Sequence, residues 1–240
     1  MLTPGLINAH THLQYSGMVQ VGQGTYDRFR AWELAFNEVY AEAQKTQPWK
    51  QWAEDGARQM VESGTTAAAD IVTDLDAAGA LASQGMHGIA YWEVMGWHNA
   101  EWMEKGRTEL IRQLRRMNEE QLPNLGISPH APYTLESEPF VDLPDIARQL
   151  NMRLHIHLAE TPLEAGTYPP VLTTYSAADW SDHDWESYRQ LKEVGKGASA
   201  IQFVDQLGSL GPDVHIAHGV WANGEDRRIL RQRGVGVALC

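Results

Sequence analysis

Seven short apolar runs, each closed by glycine, proline or polar turn residues, recur along the chain and constrain its fold more than any other feature. They are Leu6 to His12, Thr65 to Val72, Gly88 to Met95, Leu125 to Ser128, Leu154 to Ala159, Val214 to Val220 and Val235 to Cys240. Several are apolar on both alternating faces, the pattern of strands covered on both sides, as in parallel sheets with helices packed outside. Between the runs, Lys50 to Glu62 and Ala100 to Asn118 carry apolar residues at three- and four-residue spacing, which predicts helices. Leu143 to Leu150 and Glu225 to Arg233 add two more, each just before a predicted strand. The resulting rhythm is βαβα. A chain of 240 residues is close to the roughly 250 of one α/β barrel, so a single domain over 1–240 is expected. Gly166 to Gly197, with Thr-Tyr-Pro-Pro at 167 to 170, reads as a long loop with one short helix.

Composition narrows the function classes. Against 31 acidic residues stand 19 basic ones, a net charge of −12, which argues against binding a phosphate backbone. The four arginines between Arg107 and Arg116 are spaced as a solvated helix face. No Gly-x-Gly-x-x-Gly follows the first run, so a dinucleotide site is not expected. The single cysteine, Cys240, cannot form an internal disulfide, which points to a reducing compartment and a cytoplasmic protein. Neither a basic n-region nor an apolar window of about 18 residues is visible, so neither a leader nor a membrane anchor is expected.

The chemistry gathers at the ends of the predicted strands. His10-Thr11-His12 closes the first run, His130 follows the fourth, His157 and Glu160 close the fifth and His218 closes the sixth. Residues two apart on a strand share a side, so His10 and His12 can present both imidazoles to one point, and imidazoles suit a borderline metal such as zinc. Parallel strands in a barrel bring their C-terminal ends to one mouth, where active sites lie. In Leu154-His155-Ile156-His157-Leu158-Ala159-Glu160 the histidine nearer the C-terminal end, His157, is the expected ligand, and His155 an interior histidine. His215 and His218 face opposite sides of their strand, and His218 is the one nearer the mouth.

Together, Pro4-Gly5-Leu6-Ile7-Asn8-Ala9-His10-Thr11-His12, Gly64-Thr65-Thr66 with Asp70, Ser128-Pro129-His130-Ala131-Pro132-Tyr133, His157-Leu158-Ala159-Glu160 and Ala217-His218-Gly219 resemble, in order and spacing, the metal-dependent amidohydrolase superfamily. The nearest branch is that of the aminohydrolases, which includes chlorohydrolases and cytosine, guanine and adenosine-type deaminases. Within it, the phrases around His10 and His218 look most like aminodeoxyfutalosine deaminases of menaquinone synthesis. The resemblance implies a (β/α)8 TIM barrel and one divalent metal ion, zinc or iron, bound by His10, His12 and His157. It further implies Glu160 and His218 as catalytic proton carriers, and His130 and Gln14 as substrate contacts. The implied reaction is hydrolytic deamination of a purine-type or other cyclic amidine by metal-activated water. Chlorohydrolase or amide hydrolase chemistry on the same scaffold is the alternative.

Two departures from the pattern matter. The family's aspartate after an eighth strand has no counterpart, and residues for the small β-sandwich beside the barrel are missing. The expected fold is therefore an incomplete barrel of about seven βα units whose unpaired edges favour self-association into a homo-oligomer. Such a chain is expected to hold its metal weakly and turn over slowly, with a catalytically inactive fragment as the non-enzyme alternative. Its expected partner is a small-molecule substrate, with no nucleic acid and no membrane. Trp180 and Trp185, in the long loop, are candidates for covering that substrate.

Overall fold

The computed structural model describes residues 3–27, 29–119, 122, 124–166 and 190–240. Among them, seven strands alternate with helices in the expected order: β1 (Leu6–Thr11), α1 (Phe29–Thr46), α2 (Trp49–Glu62), β2 (Thr65–Val72), β3 (His87–Val94), α3 (Arg107–Glu119), β4 (Leu125–Pro129), α4 (Ser137–Gln149), β5 (Arg153–Leu158), α5 (Ala200–Gln206), β6 (Val214–His218), α6 (Gly224–Arg233) and β7 (Gly236–Ala238). The chain divides into two compact units, Met1–Trp92 with Met117–Asn124, and Glu93–Arg116 with Leu125–Cys240.

In the first unit β1 pairs with β2, and β2 with β3, all parallel, with Thr11 opposite Asp70 and Asp70 opposite Ala90. Helix α2 begins just after Pro48 and buries Trp49, Ala53, Gly56 and Ala57 on one face. The small ones, Ala53, Gly56 and Ala57, let the helix close on the turn after β1. A Cβ on Gly56 would stand 3.0 Å from the Ser16 Cβ and 3.2 Å from a Leu13 methyl. Helix α1, which the sequence reading leaves within a connection, places Phe29, Trp32, Phe36 and Tyr40 at three- and four-residue spacing. The successive rings lie 5.4, 5.4 and 5.8 Å apart.

In the second unit β4, β5, β6 and β7 run parallel in chain order, with Leu154 opposite Val214 and His215 opposite Gly236. After Arg153, every residue of β5 is buried, as its two-sided apolar pattern predicts. Strand β6 stops at His218, two residues short of the predicted end, because His218 at φ 77° and Gly219 at φ 66° leave the extended region. Helix α4 starts at Ser137, well before the predicted Leu143. Pro139 lies in its first turn, where a missing N–H has no intrahelical partner to lose. The predicted helix from Ala100 is interrupted by a π turn, Trp102–Gly106. There the Trp102 ring lies 6.1 Å from that of Trp97, and a Cβ on Gly106 would stand 2.7 Å from it. Helix α6 is capped by Asn223, whose side chain accepts from the Glu225 and Asp226 amides.

No helix of the described residues is long and apolar enough to cross a membrane. Trp180, Trp185 and most of the predicted long loop lie outside the described residues.

Helix propensity favours leucine over glycine at position 56, whereas the close contact with the turn forbids the bulk. Gly56→Leu is expected to destabilise the chain by about 1–3 kcal/mol in urea unfolding; a gain in stability would show that propensity outweighs packing here.

Candidate active site

Backbone pairing in the second unit sets the ends of β4, β5 and β6 side by side. The His157 amide donates to the His130 carbonyl at 2.9 Å, and the Gly219 amide to that of Leu158 at 2.9 Å. Three of the predicted histidines consequently cluster: the rings of His130 and His157 lie 4.7 Å apart and those of His157 and His218 5.5 Å apart.

Hydrogen bonds decide how each ring is used. The His157 Nδ1 lies 3.2 Å from the His130 carbonyl oxygen, which can only accept, so Nδ1 carries the proton and Nε2 the lone pair. Thr134 directs its single hydroxyl proton to the Ala131 carbonyl at 3.2 Å. Its oxygen therefore accepts from His130 Nδ1 at 2.7 Å, and His130 likewise presents the lone pair on Nε2. Burial, with the His218 charge second, pushes the His130 pKa down to about 4.

Glu160 extends from the turn after β5. One carboxylate oxygen lies 3.5 Å from His218 Nε2, and the Tyr133 hydroxyl donates to the other at 3.3 Å. Burial pushes the Glu160 carboxyl up to about 7, with the tyrosine bond pulling the other way, and burial pushes His218 down to about 4. At neutral pH the pair is a neutral imidazole beside a carboxyl that still holds much of its proton, which suits proton transfer.

Glu93, at the end of β3, is a residue that the sequence reading gives no role. Its Oε1 is buried, has no hydrogen-bond partner among the described residues and lies 3.9 Å from His157 Nδ1. Burial pushes this carboxyl up to about 8. Possible ligand atoms of Glu93, His130 and His157 all lie within 4.8 Å of one another. The available signal was a lone acid inside the apolar run Tyr91-Trp92-Glu93-Val94.

In the first unit, His10 near the end of β1 and His12 just beyond it stand with ring centroids 5.1 Å apart, as their two-residue spacing requires. The His12 ring stacks on Tyr15 at 5.6 Å, and Tyr15 in turn meets Phe36, Tyr40 and Trp49 within 6.1 Å. Asp70 is buried and accepts the Leu13 amide at 2.8 Å; burial, opposed by that amide, pushes its pKa up to about 8. Gln14 is buried, and its amide engages the Thr73 backbone and hydroxyl, a structural task that holds the turn after His12. His155 is buried with its ring 5.1 Å from that of His215, as expected of an interior residue.

A model of the amidohydrolase family matches residues 1–167. A 5-methylthioadenosine/S-adenosylhomocysteine deaminase of Thermococcus kodakarensis is 30% identical over 99% of this chain and 51% of its own length. The chain thus spans about half the length of the relatives it matches. Among solved structures, an adenosine deaminase from Xanthomonas campestris with bound zinc superposes with a TM-score of 0.68 at 20% identity, covering 99% of this chain and 49% of its own. Helicobacter pylori aminofutalosine deaminase in complex with methylthio-coformycin gives 0.71 at 17% identity, over 99% of this chain and 56% of its own. At these identities the likeness shows the fold, the amidohydrolase type of (β/α) barrel expected from the sequence.

The raised pKa of Glu160 has a stability consequence of definite sign. Between the ordinary carboxyl value of 4.5 and about 7 the folded state binds more protons at this residue than the unfolded state. Its contribution is therefore full below 4.5 and is lost as pH rises through 7. Glu160→Gln should thus gain stability relative to the wild-type chain between pH 5 and pH 8. Urea unfolding of both metal-free proteins checks this, and parallel stability curves would refute it.

Proposed function

Because the chain belongs to the amidohydrolase family, we propose that it serves a metal-dependent hydrolase that deaminates an adenine-type ring or a related cyclic amidine. The observation that carries this reading is the pairing of Glu160, with its proton partly retained at neutral pH, and neutral His218 beside the lone pair of His157. Residues 1–240 are read as one partial barrel domain acting on a small molecule in the cytoplasm.

The donor set fits a divalent cation. The His10 and His12 rings stand with centroids 5.1 Å apart, His157 directs its Nε2 lone pair away from the His130 carbonyl, and the buried Glu93 Oε1 near His157 has no hydrogen-bond partner among the described residues. We assign His10, His12 and His157 as ligands of one ion, zinc or iron. When bound, such an ion supplies Lewis acidity that brings the pKa of water to about 7.

The remaining work falls to the protein's own groups. His218 takes a proton from the attacking water as its oxygen adds to the amino-bearing ring carbon, and Glu160 protonates the adjacent ring nitrogen through the carboxyl that faces His218. His218 then passes its proton to the amino group, the added hydroxyl gives its remaining proton to the Glu160 carboxylate as the C–N bond breaks, and ammonia leaves with the ring carbonyl formed. Tyr133 orients Glu160 by donating to its second oxygen. His130, locked by Thr134, offers Nε2 as acceptor to a substrate N–H or O–H. Gln14, anchored by Thr73 through its oxygen and one N–H, retains its second N–H for the substrate contact proposed for it.

Zinc-loaded protein should release ammonia from methylthioadenosine, 5'-deoxyadenosine or aminodeoxyfutalosine, and Glu160→Gln should lower that rate by about 10²- to 10⁴-fold. Absence of ammonia from all three would defeat the reading, and halide release from a chlorinated ring would replace it with dechlorination. Equilibrium dialysis against zinc should find near one equivalent bound in the wild-type chain and a loss of most of it in His157→Ala. Equal contents in the two proteins would remove His157 from the ligand set.

A further inference from the structure

We propose that Glu164 sets the position of Glu160, as a positioning residue for proton transfer; this rests on the role given to Glu160 above. Strand pairing ends at Leu158, and the next three amides have no strand to donate to. All three donate to one carboxylate instead. Glu164 Oε1 accepts from Ala159 at 2.9 Å, and Oε2 from Glu160 and Thr161, each at 2.9 Å. The Thr161 hydroxyl adds a longer contact to Oε2 at 3.4 Å. The 3-10 turn Pro162–Glu164 folds the side chain back over this backbone.

Water cannot take over these bonds, since Ala159, Thr161 and Glu164 are each 1% exposed. The clamp also holds an unfavourable backbone: Ala159 sits at φ 54°, in the left-handed region that disfavours a side chain. The Ala159 carbonyl accepts the Trp221 amide at 2.9 Å, so the turn is tied to the segment just after His218. Glu164 thereby fixes the residue that carries the Glu160 carboxyl, and with it the 3.5 Å approach to His218, without touching substrate.

Glu164→Gln tests this in the full 240-residue chain. It replaces one accepting oxygen with a donor facing donors, at nearly unchanged volume. Amide hydrogen exchange at residues 159–161, followed by NMR, should speed up markedly. In the zinc-loaded protein kcat for ammonia release should fall by about 10- to 100-fold, with KM and zinc content close to wild type. Glu164→Asp keeps the charge but withdraws it by one methylene; it should give a smaller fall of the same kind, and it carries the test if the glutamine variant does not fold. The proposal is overturned by unchanged exchange at these amides, by kcat within about twofold of wild type, or by zinc lost in proportion to kcat. An inactive wild-type chain would sink the deaminase reading by itself, and the exchange data would then judge the clamp alone.

Discussion

Parallel backbone pairing of β4, β5 and β6 is the constraint on which the second unit's chemistry depends. Each histidine of the cluster sits where its strand ends, and neighbouring strands hold one another in register through amides that are themselves part of the site. The His130 carbonyl shows how tightly the two roles are joined. It accepts the His157 amide as a sheet bond and lies against the His157 ring nitrogen, so one oxygen both aligns two strands and selects a tautomer. A shift of β4 would move His130 and change the proton location on His157 together.

Much of this was legible in the chain. Apolar runs on both faces announced buried parallel strands, and β2 occupies the residues its pattern indicates. The two-residue spacing of His10 and His12 predicted their proximity because the pleat alternates. Other parts were hidden for physical reasons. Glu164 reads as an ordinary acid near a helix start; its task depends on a turn whose backbone leaves the strand at Ala159. Glu93 looks like one polar position in a strand, and only burial beside His157 gives it meaning. Helix α1, by contrast, was legible in the three- and four-residue spacing of Phe29, Trp32, Phe36 and Tyr40, although the sequence reading leaves it within a connection. The π turn depends on tryptophan packing that no periodicity encodes.

Four carboxyl groups, Asp70, Glu93, Glu160 and Glu164, are held above the usual carboxylate range by burial. Burying acids is costly unless something answers their charge. Asp70 and Glu164 are answered by backbone amides, and Glu160 by a tyrosine hydroxyl. Glu93 has no such donor to its Oε1. Asp70 and Glu164 thus hold backbone, whereas among the described residues no backbone amide donates to the Glu93 or Glu160 carboxyl.

The ring orientations of His130 and His157 are held by hydrogen bonds within the protein itself. A ring held in this way needs little reorientation to present its other nitrogen, so an interaction at that nitrogen loses little energy to ordering the side chain. Two backbone carbonyls and one threonine thus carry part of the preorganisation of this cluster.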